Sequence, residues 1–366
     1  PSLLFLVRTQ QAPGGILVTA SHNPLEWNAL KFVVQGGRFP FQEELDRFVS
    51  FLDQPVAYAS WAEVGRRVQV PRAWERHVEA LRESPWVAVE AVQKRSPRVL
   101  VDCVNGAMSE ALPTLLETLG ARVIRLHCTP DGTFPRPPEP REEHLRELDA
   151  RLRSGEADLG FATDPDGDRL VVGLGGTGVL SEEATVPLAF RYVLSRQRGP
   201  LVVNYSTSRW VDEVAAAYHV PVYRTPVGEA NVLQAIQERD ALGGGEGNGG
   251  VIFPPLNAAR DGLVAAALVL SLWATRGREA FALSPRYRIK ERLPRKAVPS
   301  LEIFQNLAVE ERSDRDGVYL RRGETWVHLR PSNTEPIVRL YGESPDRTDL
   351  EALVQEVRMR YQGGGS

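Results

Sequence analysis

Short apolar runs rich in valine, leucine and isoleucine recur along this chain, and most lead into a stretch with helical periodicity. Strand patterns fall at residues 16–19, 31–34, 99–102, 123–126, 170–174 and 201–204. Helical patterns fall among them, at 110–119, 142–152, 210–218 and 232–239. That alternation predicts an α/β protein with parallel or mixed sheets. Residues 99–126 and 201–225 echo each other, since both read strand, asparagine-bearing turn, helix, strand. The echo predicts a duplicated unit. The last part has a different rhythm: consecutive strand patterns at 318–321, 326–329 and 338–341 precede a helix at 350–361, an α+β module. A chain of 366 residues is too long for one ordinary core. Breaks near 93–97, 197–200 and 284–294 predict four units, 1–95, 96–198, 199–287 and 288–366.

Apolar residues at 42% and charged residues at 25% argue for an ordered soluble protein. A net charge of −3 gives no reason to expect nucleic acid as a partner. No apolar run is long and uninterrupted enough to predict a membrane span; residues 263–273 come closest and read as a buried helix. The first seven residues are apolar but lack the basic leader of a signal peptide. Cys103 and Cys128 form no C-x-x-C pair, so reduced thiols and a cytoplasmic location are expected.

The densest chemistry lies in Asp164-Pro165-Asp166-Gly167-Asp168-Arg169, between two apolar runs. Three carboxylates this close repel one another unless a cation lies between them. Oxygen ligands at alternate positions suit a small divalent ion such as Mg²⁺. Arg169 adds a permanent positive charge that suits a phosphate. A calcium EF-hand loop also begins with alternating acids, but it needs glycine sixth and glutamate twelfth. Arg169 and Gly175 occupy those places. A polar surface turn remains the plain alternative.

Three further loops carry functional side chains. Thr19-Ala20-Ser21-His22-Asn23-Pro24 ends an apolar strand pattern, where a serine is exposed as nucleophile or phosphate carrier. His22 is its sequence neighbour, and neighbours rarely adopt the Ser–His geometry of a hydrolase. Lys31 lies in the next apolar run, on a solvated strand face or, in a closed site, with a lowered pKa and a part in proton transfer. The stretch 243–250, GGGEGNGG, contains G-x-G-x-x-G, but a strand pattern and two prolines follow instead of the helix that a dinucleotide site needs. Glu246 and Asn248 are its only functional side chains and suit sugar hydroxyls. Arg330-Pro331-Ser332-Asn333-Thr334-Glu335-Pro336 joins two strand patterns and offers an arginine, hydroxyls and an amide to a phosphate. Each loop also reads as an ordinary polar turn when taken alone.

Together, and in this order, the four loops resemble those of the α-D-phosphohexomutase family. TASHNP resembles the family's phosphoserine loop, DPDGDR its metal loop, GEGNGG its sugar loop in an archaeal-type variant, and RPSNTEP its phosphate loop. The resemblance covers nearly the whole chain. It implies three related α/β mixed-sheet domains and a C-terminal α+β domain around a central cleft. It further implies that Ser21 carries a phosphoryl group and that Mg²⁺ binds Asp164, Asp166, Asp168 and Ser21. Glu246 and Asn248 would hold the sugar, and Arg330, Ser332, Asn333 and Thr334 the phosphate that does not react. His22 and Lys31 match positions implicated in proton transfer, and Arg169 a site arginine. Hexose phosphates and hexose 1,6-bisphosphate are the implied small-molecule partners, with the protein a monomer or homodimer.

Two departures from the family accompany the likeness. Members carry a further strand–helix segment before the phosphoserine loop, so the first domain is expected to be shortened at its start. Glu229 stands where several members carry histidine, which changes the sugar contacts expected there. The leading expectation is a phosphoglucomutase/phosphomannomutase, with phosphoglucosamine mutase as the close alternative. A metal-dependent phosphohydrolase and a sugar-phosphate-binding protein without turnover are the other classes.

Overall fold

A computed structural model of the chain describes residues 1–295, 298–332 and 335–363. Strands β1 (Gly14–Val18) and β2 (Leu30–Val34) form an antiparallel pair. β3 (Arg98–Asp102), β4 (Arg122–Leu126), β5 (Leu159–Thr163), β6 (Leu170–Leu174) and β7 (Gly178–Val179) form one mixed sheet, ordered β4-β3-β5-β6-β7. β8 (Leu201–Asn204), β9 (Val222–Thr225), β10 (Gly243–Glu246), β11 (Gly250–Phe253) and β12 (Asn257–Arg260) form another, ordered β9-β8-β10-β11-β12. β13 (Tyr287–Pro294), β14 (Glu311–Ser313), β15 (Val318–Arg322), β16 (Thr325–Pro331) and β17 (Ile337–Ser344) make a wholly antiparallel sheet. These four sheets bear out the mixed α/β class and the α+β character of the last part.

The two middle sheets have one topology. In each, the first strand lies between the second and third and runs parallel to both, while the fourth and fifth are added antiparallel. Every residue of β5 and β6 is buried, as a sheet covered on both faces requires. The covering helix Met108–Thr118 buries Ala111, Leu112, Leu115 and Leu116 at helical spacing.

Helix Gly262–Arg276 was expected to be buried, and it is. Its Asp261 cap accepts the N–H groups of Leu263 and Val264 at 2.8 and 3.2 Å. Apolar on nearly all sides, it packs on helices Thr185–Leu194, Val89–Arg95 and Met108–Thr118 and unites the cores of the two middle sheets. Helix Arg347–Gly363 builds a separate core, placing Leu350, Leu353, Val354 and Val357 against the last sheet. Among the described residues no helix is long and apolar enough to cross a membrane.

Two local readings change. The helix expected over 142–152 is a 3-10 turn, Glu142–His144, and a helix, Arg146–Arg153, because Leu145 leaves helical geometry at φ −107° and ψ 32°. The stretch 284–294, taken as a junction, contains β13, paired with β17 along eight residues.

The shared topology has a consequence for the site. The loop between β5 and β6 is DPDGDR; the equivalent loop, between β10 and β11, is Gly247–Asn248–Gly249. Backbone bonds join the two regions, since Leu170 N–H, at the start of β6, donates to Gly249 O at 3.1 Å, and Gly262 N–H, at the start of the buried helix, donates to Gly167 O at 3.0 Å. Gly249 has φ +89°, and a Cβ there would overlap the Leu170 carbonyl. Gly155 has φ +78° with open space around it. Gly249→Ala should therefore lose at least about 2 kcal/mol of unfolding free energy, combining left-handed strain with overpacking. Gly155→Ala should lose only about 1 kcal/mol. Equal losses in urea titrations would show that the Leu170 contact is unimportant.

Candidate active site

Ser21 sits just past β1 with φ +53°, a strained value for a residue with a side chain. The turn is held by Ser21 N–H donating to Thr19 Oγ1 at 2.8 Å and by Asn23 Nδ2 donating to Ala20 O at 3.0 Å. This backbone brings Ser21 Oγ to 3.2 Å from His22 Nδ1, a contact that sequence neighbours were not expected to make. Arg169 Nη2 lies 3.0 Å from the same nitrogen. A guanidinium only donates, so Nδ1 is the acceptor. Burial and the Arg169 charge push the His22 pKa down to about 4, leaving a neutral ring near pH 7.

The three aspartates come together with their ligand oxygens within 4.8 Å of one another. Each carboxylate has one oxygen held. Arg169 N–H donates to Asp164 Oδ1 at 3.2 Å, Lys31 Nζ to Asp166 Oδ2 at 2.7 Å, and Arg260 Nη2 to Asp168 Oδ2 at 2.6 Å. The other three oxygens, Asp164 Oδ2, Asp166 Oδ1 and Asp168 Oδ1, are buried without a hydrogen bond. Buried carboxylate oxygens without hydrogen bonds are costly, and three aspartates whose oxygens gather this closely fit a hard divalent cation. Thr19 Oγ1 also reaches Asp166 Oδ2, at 3.3 Å, which ties the serine turn to this cluster.

Charges decide the protonation states here. Burial, then Asp168 and Asp166, drive the Asp164 carboxyl well above its usual range. For Asp168, burial acts upward but Arg260, Lys31 and Arg169 outweigh it, and its pKa falls. Burial alone would lower the Lys31 pKa, as expected for a proton-transfer lysine. The charges of Asp168 and Asp166 reverse that, and its pKa is raised. Lys31 is thus a standing cation beside the metal loop.

A cavity of about 330 Å³ is walled by His22, Arg169, Glu246, Asn248 and Arg330, among others. That is within the range of small-molecule sites. Ser21 and Asp166 do not line it; they border a more apolar space of about 700 Å³. The Ser21–His22–Arg169 chain connects the two. Glu246 is buried at the end of β10, where Oε1 accepts Asn204 Nδ2 at 2.8 Å and Gly228 N–H at 2.9 Å, and Oε2 accepts Arg260 Nη1 at 2.7 Å. Burial opposes its ionisation, yet Arg260 and these donors lower its pKa. Arg330 Nε donates to Asp316 Oδ1 at 2.9 Å, and Asp316 Oδ2 accepts Val227 N–H at 2.8 Å, joining the last sheet to the third unit. The Ser332 turn is closed by its N–H donating to Ile337 O at 2.9 Å. Asn333 and Thr334 lie outside the described residues.

Several wall residues were missed. Glu139 accepts Arg169 Nη1 at 3.1 Å and lies in a proline-rich stretch with no catalytic pattern. Arg260 is a lone arginine at a strand end. Lys290, on β13, reaches Glu182 at 2.5 Å and Glu183 at 3.7 Å. Burial pushes the Glu183 pKa up to about 7, while its Oε2 accepts Ser208 N–H at 2.9 Å.

Comparison with known proteins agrees with this geometry. Phosphoglucomutase/phosphomannomutase family models match at residues 1–49 (alpha/beta/alpha domain I), 75–176 (domain II), 182–287 (domain III) and 288–359 (C-terminal domain). The chain is 34% identical to "Probable phosphoglucosamine mutase" of Methanopyrus kandleri, over 97% of this chain and 80% of that protein. It is 33% identical to phosphoglucomutase/phosphomannomutase of Thermococcus kodakarensis, over 94% of this chain and 77% of that one. A crystal structure of a phosphoglucomutase/phosphomannomutase family protein from Burkholderia thailandensis superposes with a TM-score of 0.79 at 23% identity, covering 96% of this chain and 76% of that one. Fold and site thus define an isomerase that works as an intramolecular phosphotransferase. The chain belongs to the α-D-phosphohexomutase family.

Two outcomes follow for the acidic groups. Asp164→Asn should abolish divalent-cation binding in calorimetry with Mn²⁺, while raising metal-free stability by about 1 kcal/mol or more through relief of buried repulsion. Loss of both properties together would mark Asp164 as a structural residue only. Glu183 has a folded pKa raised above its unfolded value of 4.5. Its protonated form therefore contributes stability that is present below pH 4.5 and is lost as pH rises through about 7. Glu183→Gln should gain on the wild type between pH 5 and pH 8, by on the order of 2–3 kcal/mol in urea unfolding. A pH-independent difference would contradict this.

Proposed function

We propose that this protein interconverts hexose 1-phosphates and hexose 6-phosphates of glucose and mannose, through phosphorylated Ser21 and a hexose 1,6-bisphosphate. The observation that carries the reading is the Ser21–His22 pair, linked through Thr19 to the aspartate cluster and through Arg169 to the cavity. A carrier hydroxyl, a cation site and a polar cavity are thereby joined by direct contacts.

In this reading a sugar hydroxyl forms a new O–P bond as the Ser21 Oγ–P bond breaks, and the hydroxyl's proton passes to the departing Ser21 Oγ. In the second half Ser21 Oγ bonds to the other phosphoryl group of the bisphosphate, the sugar O–P bond there breaks, and the serine proton passes to the departing sugar oxygen. His22 Nδ1, 3.2 Å from Ser21 Oγ and held by Arg169 Nη2, steadies the carrier hydroxyl. Asp164, Asp166 and Asp168 would hold Mg²⁺, which when bound supplies charge neutralisation at the transferring phosphoryl group. Lys31 and Arg169 keep positive charge on either side of that cluster. Glu246 and Asn248 accept and donate to ring hydroxyls, and Arg330 grips the distal phosphate. Most of the work is positioning and electrostatics, as phosphoryl transfer requires.

Glucosamine phosphate is the competing substrate, favoured by the name of the Methanopyrus kandleri relative. Coupled assays on the 1-phosphates of glucose, mannose and glucosamine decide between them. Turnover of the first two supports the proposal; turnover of glucosamine 1-phosphate alone overturns the substrate assignment. Release of inorganic phosphate in step with substrate loss would indicate a phosphohydrolase. Ser21→Ala should lower turnover about 10³-fold or more and should abolish the phosphate gained on incubation with glucose 1,6-bisphosphate, read by intact mass.

A further inference from the structure

Arg260 ends β12 and projects a guanidinium whose side chain is only 12% exposed. Its three nitrogens bind three different carboxylates. Nη2 donates to Asp168 Oδ2 at 2.6 Å, Nη1 to Glu246 Oε2 at 2.7 Å, and Nε to Glu229 Oε2 at 3.1 Å. The Arg260 backbone N–H also donates to Glu229 Oε1, at 2.9 Å. One residue therefore spans the metal loop, the sugar loop and the start of helix Glu229–Glu238. Gly250 leaves room for it, because a Cβ there would overlap the Arg260 stem.

We infer that Arg260 is a positioning residue that couples cation binding at Asp168 to sugar binding at Glu246, with Glu229 as its orienting partner. The inference rests on the mutase reading above, since it needs a cation at one loop and a sugar phosphate at the other. By holding Asp168 Oδ2, Arg260 fixes the Asp168 carboxylate, whose Oδ1 has no hydrogen bond, within the aspartate cluster. By holding Glu246 Oε2, it fixes the carboxylate on the cavity wall. A buried guanidinium bound on three sides cannot shift toward one partner without loosening another. The first ligand to bind immobilises the shared cation, so the second meets a site already ordered. Coupling of this kind is reciprocal. Glu229 consequently acts through Arg260 and not as a direct replacement for a sugar-binding histidine.

The test measures Mn²⁺ affinity with and without saturating glucose 6-phosphate, in the Ser21→Ala background so that no transfer occurs. With Arg260 present, glucose 6-phosphate should tighten Mn²⁺ by about fivefold or more. With Arg260→Met added, the two affinities should agree within about twofold. Arg260→Lys, which retains the charge without the fork, should give an intermediate factor; circular dichroism and thermal melts establish that each variant is folded. Should Arg260→Met fail to fold, the Lys variant alone decides, because an unreduced factor in it overturns the coupling. An unreduced factor in Arg260→Met, or no coupling with Arg260 present, overturns it equally. Failure of the Arg260-containing protein to bind Mn²⁺ at all would instead overturn the mutase reading beneath it.

Discussion

Five carboxylates, from Asp164, Asp166, Asp168, Glu229 and Glu246, are gathered in low-dielectric surroundings where the middle sheets meet. An unpaired carboxylate in such a place costs several kcal/mol, so the cluster exists only where cations reach it. Lys31 comes from β2, Arg169 from the metal loop itself, and Arg260 from β12. The three cations thus arrive from three separate sheets or their loops. Charge compensation binds these units to one another at the cavity, and the fold around it must be accurate enough to keep contacts of 2.6–3.1 Å.

Duplication explains how two loops of unlike chemistry come to face each other. Each middle sheet ends its third strand and begins its fourth at the same topological point, and the buried helix Gly262–Arg276 packs between the units. The β5–β6 loop then supplies three carboxylates, and the end of β10 supplies Glu246. Backbone hydrogen bonds from Leu170 to Gly249 O and from Gly262, at the start of that helix, to Gly167 O keep the two units together. The last sheet approaches through polar bridges, Arg330–Asp316–Val227 and Lys290–Glu182, and keeps a core of its own. The cavity lies between several units and is lined by side chains from each.

Legibility in the sequence followed locality. DPDGDR, TASHNP and GEGNGG pack their functional side chains into consecutive residues, so their chemistry was readable before any contact was known. The β/α alternation and the echo between 99–126 and 201–225 foreshadowed the mixed sheets and their common topology. Arg260, Glu139 and Glu183 were not readable, because each is one charged residue in a segment of ordinary composition. For Lys31 the sequence left a solvated strand face and a lowered pKa both open, and its surroundings shift the pKa the other way. Burial does depress a lysine pKa, but its carboxylate neighbours lie more than a hundred residues away in sequence. The Ser21–His22 contact likewise depends on a positive φ that no residue type at that position announces.

The sequence by itself determined which side chains stand together: alternating aspartates, a serine on a strand-ending turn, and polar groups in loops bounded by glycine or proline. Local composition suffices there, because the groups are covalent neighbours and their spacing is set by the backbone. Only the tertiary structure decided which groups share charge. It placed Arg260 between Asp168, Glu229 and Glu246, set Lys31 against Asp166, and gathered the three aspartates into one cluster. Electrostatic energies in a buried site depend on distances of a few ångströms between residues remote in the chain, and those distances exist only once the sheets have packed.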